Sequence, residues 1–167
     1  RSMDSAPQGS IELPFLKGAF ENIAMGKVAT SAGEAKQMGY LSPADKIILN
    51  RDHQIHYAKQ AVIGLAESGY QQPAQRTNIQ VTGRGGMAAI KLLTGGFREG
   101  GFISEHDEVI ALKIGSVLTG GALTGKQQVS EQYLLDLERE AFLSLCGMRK
   151  TQERIKHMLE KGKPLRN

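Results

Sequence analysis

The glycine-rich stretch Gly120–Gln127, GGALTGKQ, has almost the spacing of a nucleotide-binding phosphate loop. In such a loop, backbone amides and a lysine hold the phosphates, while a Ser or Thr after the lysine binds magnesium. Here Gln127 follows Lys126, so the metal-binding hydroxyl is missing. A phosphate loop also follows a buried strand, whereas the apolar residues before this stretch recur with helical spacing. We therefore interpret its first two glycines as a helix end and Gly125 as a turn before the next helix.

A second glycine motif has the G-x-G-x-x-A spacing of dinucleotide-binding loops, with Gly83, Gly85 and Ala88. It stands between an alternating run with Ile79 and Val81, which predicts a short strand, and a helical pattern. The complete unit also needs a second buried strand that ends in an acid roughly twenty residues on. The sequence there, GFREGGFISEHDEV, supplies acids without an apolar strand. We therefore interpret these glycines as loop residues rather than as a cofactor site.

Histidines and carboxylates offer a third candidate site. His53 and His56 are three residues apart and His106 precedes Asp107, but no further ligand is spaced to complete a metal site. Asp107 has a simpler role, because Ser104 predicts a helix start and negative charge in the first turn is favoured by the exposed amides. The sequence therefore predicts no metal site and no catalytic residue.

Composition indicates one intracellular domain. The chain has 167 residues, of which 40% are hydrophobic, enough for one core. It shows no signal peptide and no apolar run of about 18 residues, so we expect a soluble, cytoplasmic protein without a membrane span. Cys146 is the single cysteine and is expected to pack as a small apolar residue. Much of the net charge of +4 lies in Arg149–Asn167, which lacks aromatic residues, so no nucleic-acid interface is predicted.

Apolar residues at three- and four-residue steps predict helices along most of the chain. Their stripes are Leu16–Ala24, Ile55–Ala66, Met87–Leu93, Ile110–Leu118, Leu134–Leu145 and Ile155–Leu159. A further short helix over SAGEAKQMG is predicted by a capping box of Ser31 and Glu34, and the helix with Met87 is expected to dissolve in TGGFREGGF. The fold class is mainly α with at most one or two short strands. Residues 1–12 are interpreted as a flexible leader or cloning remnant, and 13–167 as one helical region.

Several stretches together resemble a known family. They are FENIAMGKVATSAGEAKQMGYLSPADKIILNRD, SEHDEVIALKIGSVLTGG and VSEQYLLDLEREAFLSLCGMRKTQERIKHMLEKGKPLRN. They are similar to the carboxy-terminal end of the fused bacterial 3-hydroxyacyl-CoA dehydrogenase/enoyl-CoA hydratases of fatty-acid β-oxidation, whose hydratase half is of crotonase type. The resemblance runs from Pro14 to Asn167. It implies that 13–167 is the helical C-terminal region of the crotonase-like half.

The resemblance also implies a ligand contact and leaves the catalytic groups elsewhere. In crotonases, basic residues around the closing helix can lie near the phosphates of coenzyme A. Lys161 and Lys163 match that pattern, whereas Gly162 stands where a basic residue is common. The amide pair and carboxylates that hydrate an enoyl thioester lie upstream in the family, as does the NAD-binding domain. The resemblance thus implies NAD and an acyl-CoA substrate for the full-length parent. It implies no cofactor for this chain alone, which we expect to be inactive.

The partners implied are the upstream dehydrogenase and hydratase segments of the same polypeptide. The apolar stripes of the last two helices, with Leu137 and Ile155, also predict a homo-oligomer, because more apolar surface is present than a solvent-facing tail tolerates. Two alternatives stay open. One is a free-standing helical interaction or assembly domain, and the other is a nucleic-acid module. The resemblance does not say what the stretch Gln71–Leu123 does.

Overall fold

The computed structural model describes residues 12–167, so the leader expected over 1–12 lies outside the described part apart from Glu12, the first residue of a helix. The mainly α fold is confirmed, since the described residues form seven α-helices, one 3-10 turn and one small sheet. The α-helices are α1 (Glu12–Ala24), α2 (Ala32–Gln37), α3 (Gln54–Glu67), α4 (Arg84–Glu99), α5 (Glu105–Thr119), α6 (Glu131–Cys146) and α7 (Arg149–Lys161). The 3-10 turn is Arg51–His53, and the strands are β1 (Ile79–Val81) and β2 (Gln127–Val129). Within this part of the chain, none of the helices combines the length and apolar character needed to cross a membrane.

The chain divides into two compact units. Of the described residues, the first unit contains 12–27 and Gln75–Asn167, and the second contains Val28–Ala74. The core of the first unit joins α1, α4 and α5 through four buried side chains, which are Leu16, Phe20, Ile90 and Ala111. Each large apolar side chain buried in this way contributes roughly 1.5–3 kcal/mol. This core holds the start of α5 in place.

Helices α4 and α5 approach closely because a glycine faces a branched side chain. A Cβ added at Gly115 of α5 would lie 2.6 Å from Cγ2 of Ile90 on α4, closer than van der Waals contact permits. The prediction that α4 dissolves in TGGFREGGF is wrong, because the helix continues to Glu99. Thr94 is fully buried and its hydroxyl donates to the carbonyl of Ile90 at 2.8 Å. Packing of this face outweighs the low helix propensity of the two following glycines.

The sheet is a single antiparallel pair in which Ile79 faces Val129 and Val81 faces Gln127. Strand β1 is predicted by the sequence, whereas β2 stands where the sequence predicts only a turn at Gly125 before a helix. The segment QQV carries no alternating apolar pattern and pairs only because β1 presents an open edge beside it. Val81, the last residue of β1, is buried and lies against Gly120 at the end of α5, so the short sheet closes one end of the α4–α5 pair.

The second unit has helices at the predicted places but no core. The side chain of Ser31 accepts the amide of Glu34, as the predicted capping box requires. The carboxylate of Glu34, however, accepts from the amide and hydroxyl of Thr30 rather than from Ser31. No residue of Val28–Ala74 is buried, and α3 exposes apolar side chains such as Ile55, at 84%. This unit therefore presents an apolar surface that nothing within it covers.

Candidate functional site

The start of α5 is fixed by a reciprocal capping box, as the sequence predicted. Asp107 donates its amide to the hydroxyl oxygen of Ser104 at 3.1 Å, and the amide of Ser104 donates to Oδ2 of Asp107 at 3.0 Å. Both orphan backbone donors are thereby satisfied. The second carboxylate oxygen, Oδ1, is left free to accept a contact from outside the helix.

That contact comes from α7. Nη1 of Arg154 donates to Oδ1 of Asp107 at 2.6 Å, and Nη2 donates to the hydroxyl oxygen of Ser104 at 3.3 Å. The two charged side chains are only 17% and 12% exposed, respectively. Because the ion pair is shielded from water and reinforced by a capping residue, it is a stronger link than an ordinary surface pair.

The last residues of the chain complete the same cluster. Nε of Arg154 donates to Oδ1 of Asn167 at 2.7 Å, and Nη2 donates to the backbone oxygen of Asn167 at 3.2 Å. The amide of Asn167 in turn donates to Oε2 of Glu153 at 3.0 Å, and Nη1 of Arg166 lies 3.4 Å from Oδ2 of Asp107. We call Ser104, Asp107, Arg154, Arg166 and Asn167 the α5–α7 clamp. It joins two helices and the terminal segment through one carboxylate.

The clamp sets the charge state of Asp107. Burial alone would raise the pKa of this carboxyl, but hydrogen bonds from the Ser104 amide, Arg154 and the Ser104 side chain, together with the charge of Arg154, lower the pKa to about 2. The carboxylate is therefore ionised throughout the physiological range. One carboxylate therefore faces two guanidinium groups.

Beside the clamp lies a buried histidine. His106 is 4% exposed, and its Nε2 lies 2.8 Å from the hydroxyl oxygen of Thr151 on α7. Burial lowers the pKa of His106, and the positive charges of Arg154 and Lys150 lower it further against the opposing effect of Asp107 and Glu105. The ring is therefore held neutral near pH 7.

The inward face of α7 is thus polar, which differs from the prediction. The stripe with Ile155, Met158 and Leu159 is expected from the sequence to cover other helices of the chain and to take part in contacts with a second copy. These side chains are instead 42%, 46% and 83% exposed, while Thr151 and Arg154 face α5. Within the described residues the apolar face of α7 is therefore not packed against other helices, and its expected contact with a second copy stays a prediction.

The two lysines expected near coenzyme A phosphates lie at the end of α7. Lys161 is the last helical residue, Gly162 adopts the left-handed conformation with φ +64°, and both Lys161 and Lys163 are exposed. The carbonyl of Lys163 accepts a hydrogen bond from Nδ1 of His157 at 2.9 Å, so that nitrogen carries the proton. Neither lysine forms an ion pair within the described residues. Their role in binding coenzyme A stays a prediction.

The clamp and these lysines belong to the most basic part of the chain. Arg149–Asn167 contains seven basic and two acidic residues, so its net charge exceeds the +4 of the whole chain. An anionic group is the ligand that this surface favours.

Neither glycine motif forms a complete nucleotide site in the described chain. Gly120 ends α5 in the left-handed conformation, so the GGALTGKQ stretch follows a helix and leads into β2. Gly83 does stand between β1 and α4, as the dinucleotide fingerprint requires, but β1 pairs only with the antiparallel β2. A Cβ at Gly83 would lie 2.5 Å from the carbonyl oxygen of Gly125. That glycine is needed for close backbone packing, and the described residues do not supply the second parallel strand that would hold NAD.

The remaining candidate groups are dispersed. His53 and His56 flank Tyr57 in the second unit, with ring centroids 6.2 and 5.6 Å from the tyrosine ring. Over residues 12–167, no three or more His, Cys, Asp or Glu side chains come together as a metal site would require. Cys146 is half-buried at the end of α6.

Sequence reasoning found one half of the clamp and missed the other. Ser104 and Asp107 can be recognised in the sequence, because the two residues of a capping box are three positions apart. Arg154 lies 47 residues after Asp107. It is one of several charged residues in α7, and the sequence does not show which of them contacts α5. Only the fold identifies it.

The described chain is mainly helical, and its last helix, α7, is basic. Its sequence is similar to that of an enzyme. Over 148 residues the chain is 47% identical to the probable 3-hydroxyacyl-CoA dehydrogenase of Bacillus subtilis (strain 168). The match covers 89% of this chain but only 19% of that protein. No family model and no solved structure matches. The relation to a 3-hydroxyacyl-CoA dehydrogenase polypeptide, expected from the sequence, is confirmed at this level.

Proposed function

We propose that this chain is the C-terminal helical section of a fused 3-hydroxyacyl-CoA dehydrogenase/enoyl-CoA hydratase that acts in fatty-acid β-oxidation in the cytoplasm. The parent would hydrate 2-enoyl-CoA and oxidise the resulting 3-hydroxyacyl-CoA with NAD. The chain itself serves packing and assembly, and Lys161 and Lys163 contact the phosphates of coenzyme A. The dehydrogenase part of this proposal is supported by the 47% identity, and the hydratase part by the resemblance of the sequence to crotonases.

The observation that carries the proposal is the uncovered second unit. Helix α3 has no buried residue, and a groove of about 900 Å³ opens between it and the extended run Lys46–Asn50. Leu49 and Val62 are 96% and 65% exposed. Exposed apolar surface of this extent marks an interaction site. The related dehydrogenase is about five times longer than the matched stretch, so further segments of one polypeptide are the partner that the surface fits.

Hydrogen exchange tests this role. Amides of α3 should exchange rapidly in the chain alone and become protected when the same residues are part of the longer polypeptide. Helix α5, which contains the buried Ala111, is the internal control and should be protected in both. If α3 exchanges equally fast in both proteins, the upstream segments do not cover it.

The second candidate function is a free-standing helical interaction or assembly domain. It is favoured by the exposed apolar residues of the last two helices, among them Phe142, Leu143 and Leu159 at 58%, 63% and 83%. A self-associating module would bury them against a second copy. Protection of α6 and α7 in a concentrated sample of the chain alone, lost on dilution, would favour this candidate over the first.

A further inference from the structure

We propose that His106 makes the junction between α5 and α7 sensitive to pH, so that protonation of its ring loosens the attachment of α7 and the terminal segment. The inference concerns a property of the fold and does not depend on the proposed enzymatic parent. It rests on where the ring lies and on which charges surround it.

The ring cannot gain water without movement of α7. His106 is 4% exposed, and Thr151, its hydrogen-bond partner 2.8 Å away, is 9% exposed. A charged imidazolium in this position loses most of its hydration, and one hydroxyl oxygen is a poor replacement. Separation of α7 from α5 would restore water to the ring.

Arg154, whose charge lowers the pKa of His106 more than that of Lys150 does, is also held in place. Arg154 is fixed by its 2.6 Å contact with Asp107 and its 2.7 Å contact with Asn167, so it cannot turn away from an imidazolium. Lys150 adds a second positive charge from α7 and is itself only loosely paired, 3.8 Å from Glu105.

The acidic neighbours do not offset these charges. The charged groups that face the ring are Glu105 and Asp107 from α5 and Lys150 and Arg154 from α7, with Arg166 bound to Asp107. Asp107 is already shared by two guanidinium groups, and the side chain of Glu105 is 75% exposed and therefore screened by solvent. Protonation of His106 thus adds a fourth positive charge to those of Lys150, Arg154 and Arg166, while the carboxylate of Asp107 is already engaged.

The sign of the pH effect follows from the direction of the shift. The pKa of His106 is lowered from 6.5 in the folded chain, so the folded state binds fewer protons than the open state. The stabilising contribution is complete above about pH 6.5 and is lost as the pH falls from there through the folded pKa. Because one proton is involved, the opening equilibrium changes by at most about tenfold per pH unit.

The test is hydrogen exchange of α7, corrected for the intrinsic pH dependence of amide exchange, together with NMR titration of the His106 ring in the unmodified chain. We expect the ring to titrate below 6.5 and protection in α7 to fall several-fold on acidification from neutral pH, while α4 keeps its protection. His106→Gln, which is neutral but retains a hydrogen-bonding group, should remove the pH dependence. His56→Gln, an exposed histidine in the second unit, is the matched control and should leave it intact.

Three results would overturn the proposal. They are a ring that titrates at or above its ordinary value, α7 protection that does not change with pH, and the same pH profile in His106→Gln as in the unmodified chain. The NMR titration needs no substitution, so it decides the first point even if His106→Gln does not fold.

Discussion

Removal of the carboxylate at the centre of the α5–α7 clamp by Asp107→Asn should destabilise the first unit at neutral pH. The substitution keeps the size of the side chain and one acceptor oxygen but removes the charge that faces Arg154 and Arg166. A pKa lowered from 3.8 to about 2 corresponds to roughly 2 kcal/mol of stability when the carboxyl is ionised. The loss should fall in this range, because the side chain is only 12% exposed and solvent screens it little.

The pH dependence provides an internal check of this figure. A carboxyl with a lowered pKa stabilises the fold fully above its unfolded value of about 3.8, and the contribution is lost as the pH falls from there through about 2. The difference in free energy of unfolding between the unmodified chain and Asp107→Asn should therefore be largest near neutral pH and should shrink steadily as the pH falls from about 3.8 through about 2. Urea unfolding followed by circular dichroism measures both curves.

A matched pair on the surface serves as the control. Asp136 and Arg139 form an ion pair of the same residue types at 3.0 Å, but their side chains are 55% and 66% exposed. Asp136→Asn should cost no more than about 0.5 kcal/mol. A double-mutant cycle of Asp107→Asn with Arg154→Met should show coupling of about 1 kcal/mol or more, since the two groups contact directly. Equal losses for Asp107→Asn and Asp136→Asn, or no coupling in the cycle, would refute the central position of the carboxylate.

Gly115→Ala should destabilise the first unit by about 1–3 kcal/mol, because the added Cβ meets Ile90. The control Gly95→Ala has nothing within 4 Å of the added Cβ and should be neutral or stabilising in the same urea assay. Equal effects of the two substitutions would contradict the close contact. Calorimetry should find neither ATP with magnesium nor NAD bound at micromolar strength, and a saturable site abolished by Lys126→Ala or Gly85→Val would overturn the interpretation of the motifs. Light scattering should show a dimer or larger oligomer that dissociates on Ile155→Asp or Leu159→Asp, and a monomer at all concentrations would rule out assembly through α7.

Local patterns were sufficient to predict the helices but not what each helix contacts. Ser104, Asp107 and the left-handed Gly120 mark the ends of α5, because caps are written in neighbouring residues. The continuation of α4 beyond Thr94 could not be predicted from its glycines, because we attribute it to the packing of Ile90 and Thr94, the buried residues that precede them. Strand β2 has no pattern of its own and depends on the edge that β1 provides.

The clamp illustrates the same limit at the candidate site. The apolar stripe of α7 suggested an inward face with Ile155, yet the inward residues are Thr151 and Arg154. A largely buried guanidinium is stable only when it pairs with a carboxylate. The carboxylate that pairs with Arg154 is that of Asp107, 47 residues earlier in the sequence. Sequence periodicity records which residues share a face, while the partner of that face is set by the fold.

In the proposed function, this chain is one section of a longer β-oxidation enzyme whose catalytic groups lie elsewhere in the polypeptide. The most direct measurement compares the chain with the longer polypeptide that contains it, following crotonyl-CoA hydration by enoyl absorbance and 3-hydroxybutyryl-CoA oxidation by NADH formation. The account predicts turnover of both substrates by the longer polypeptide and none above a boiled control by the chain alone. Enzymatic turnover by the chain alone, or no turnover by the longer polypeptide, would contradict it.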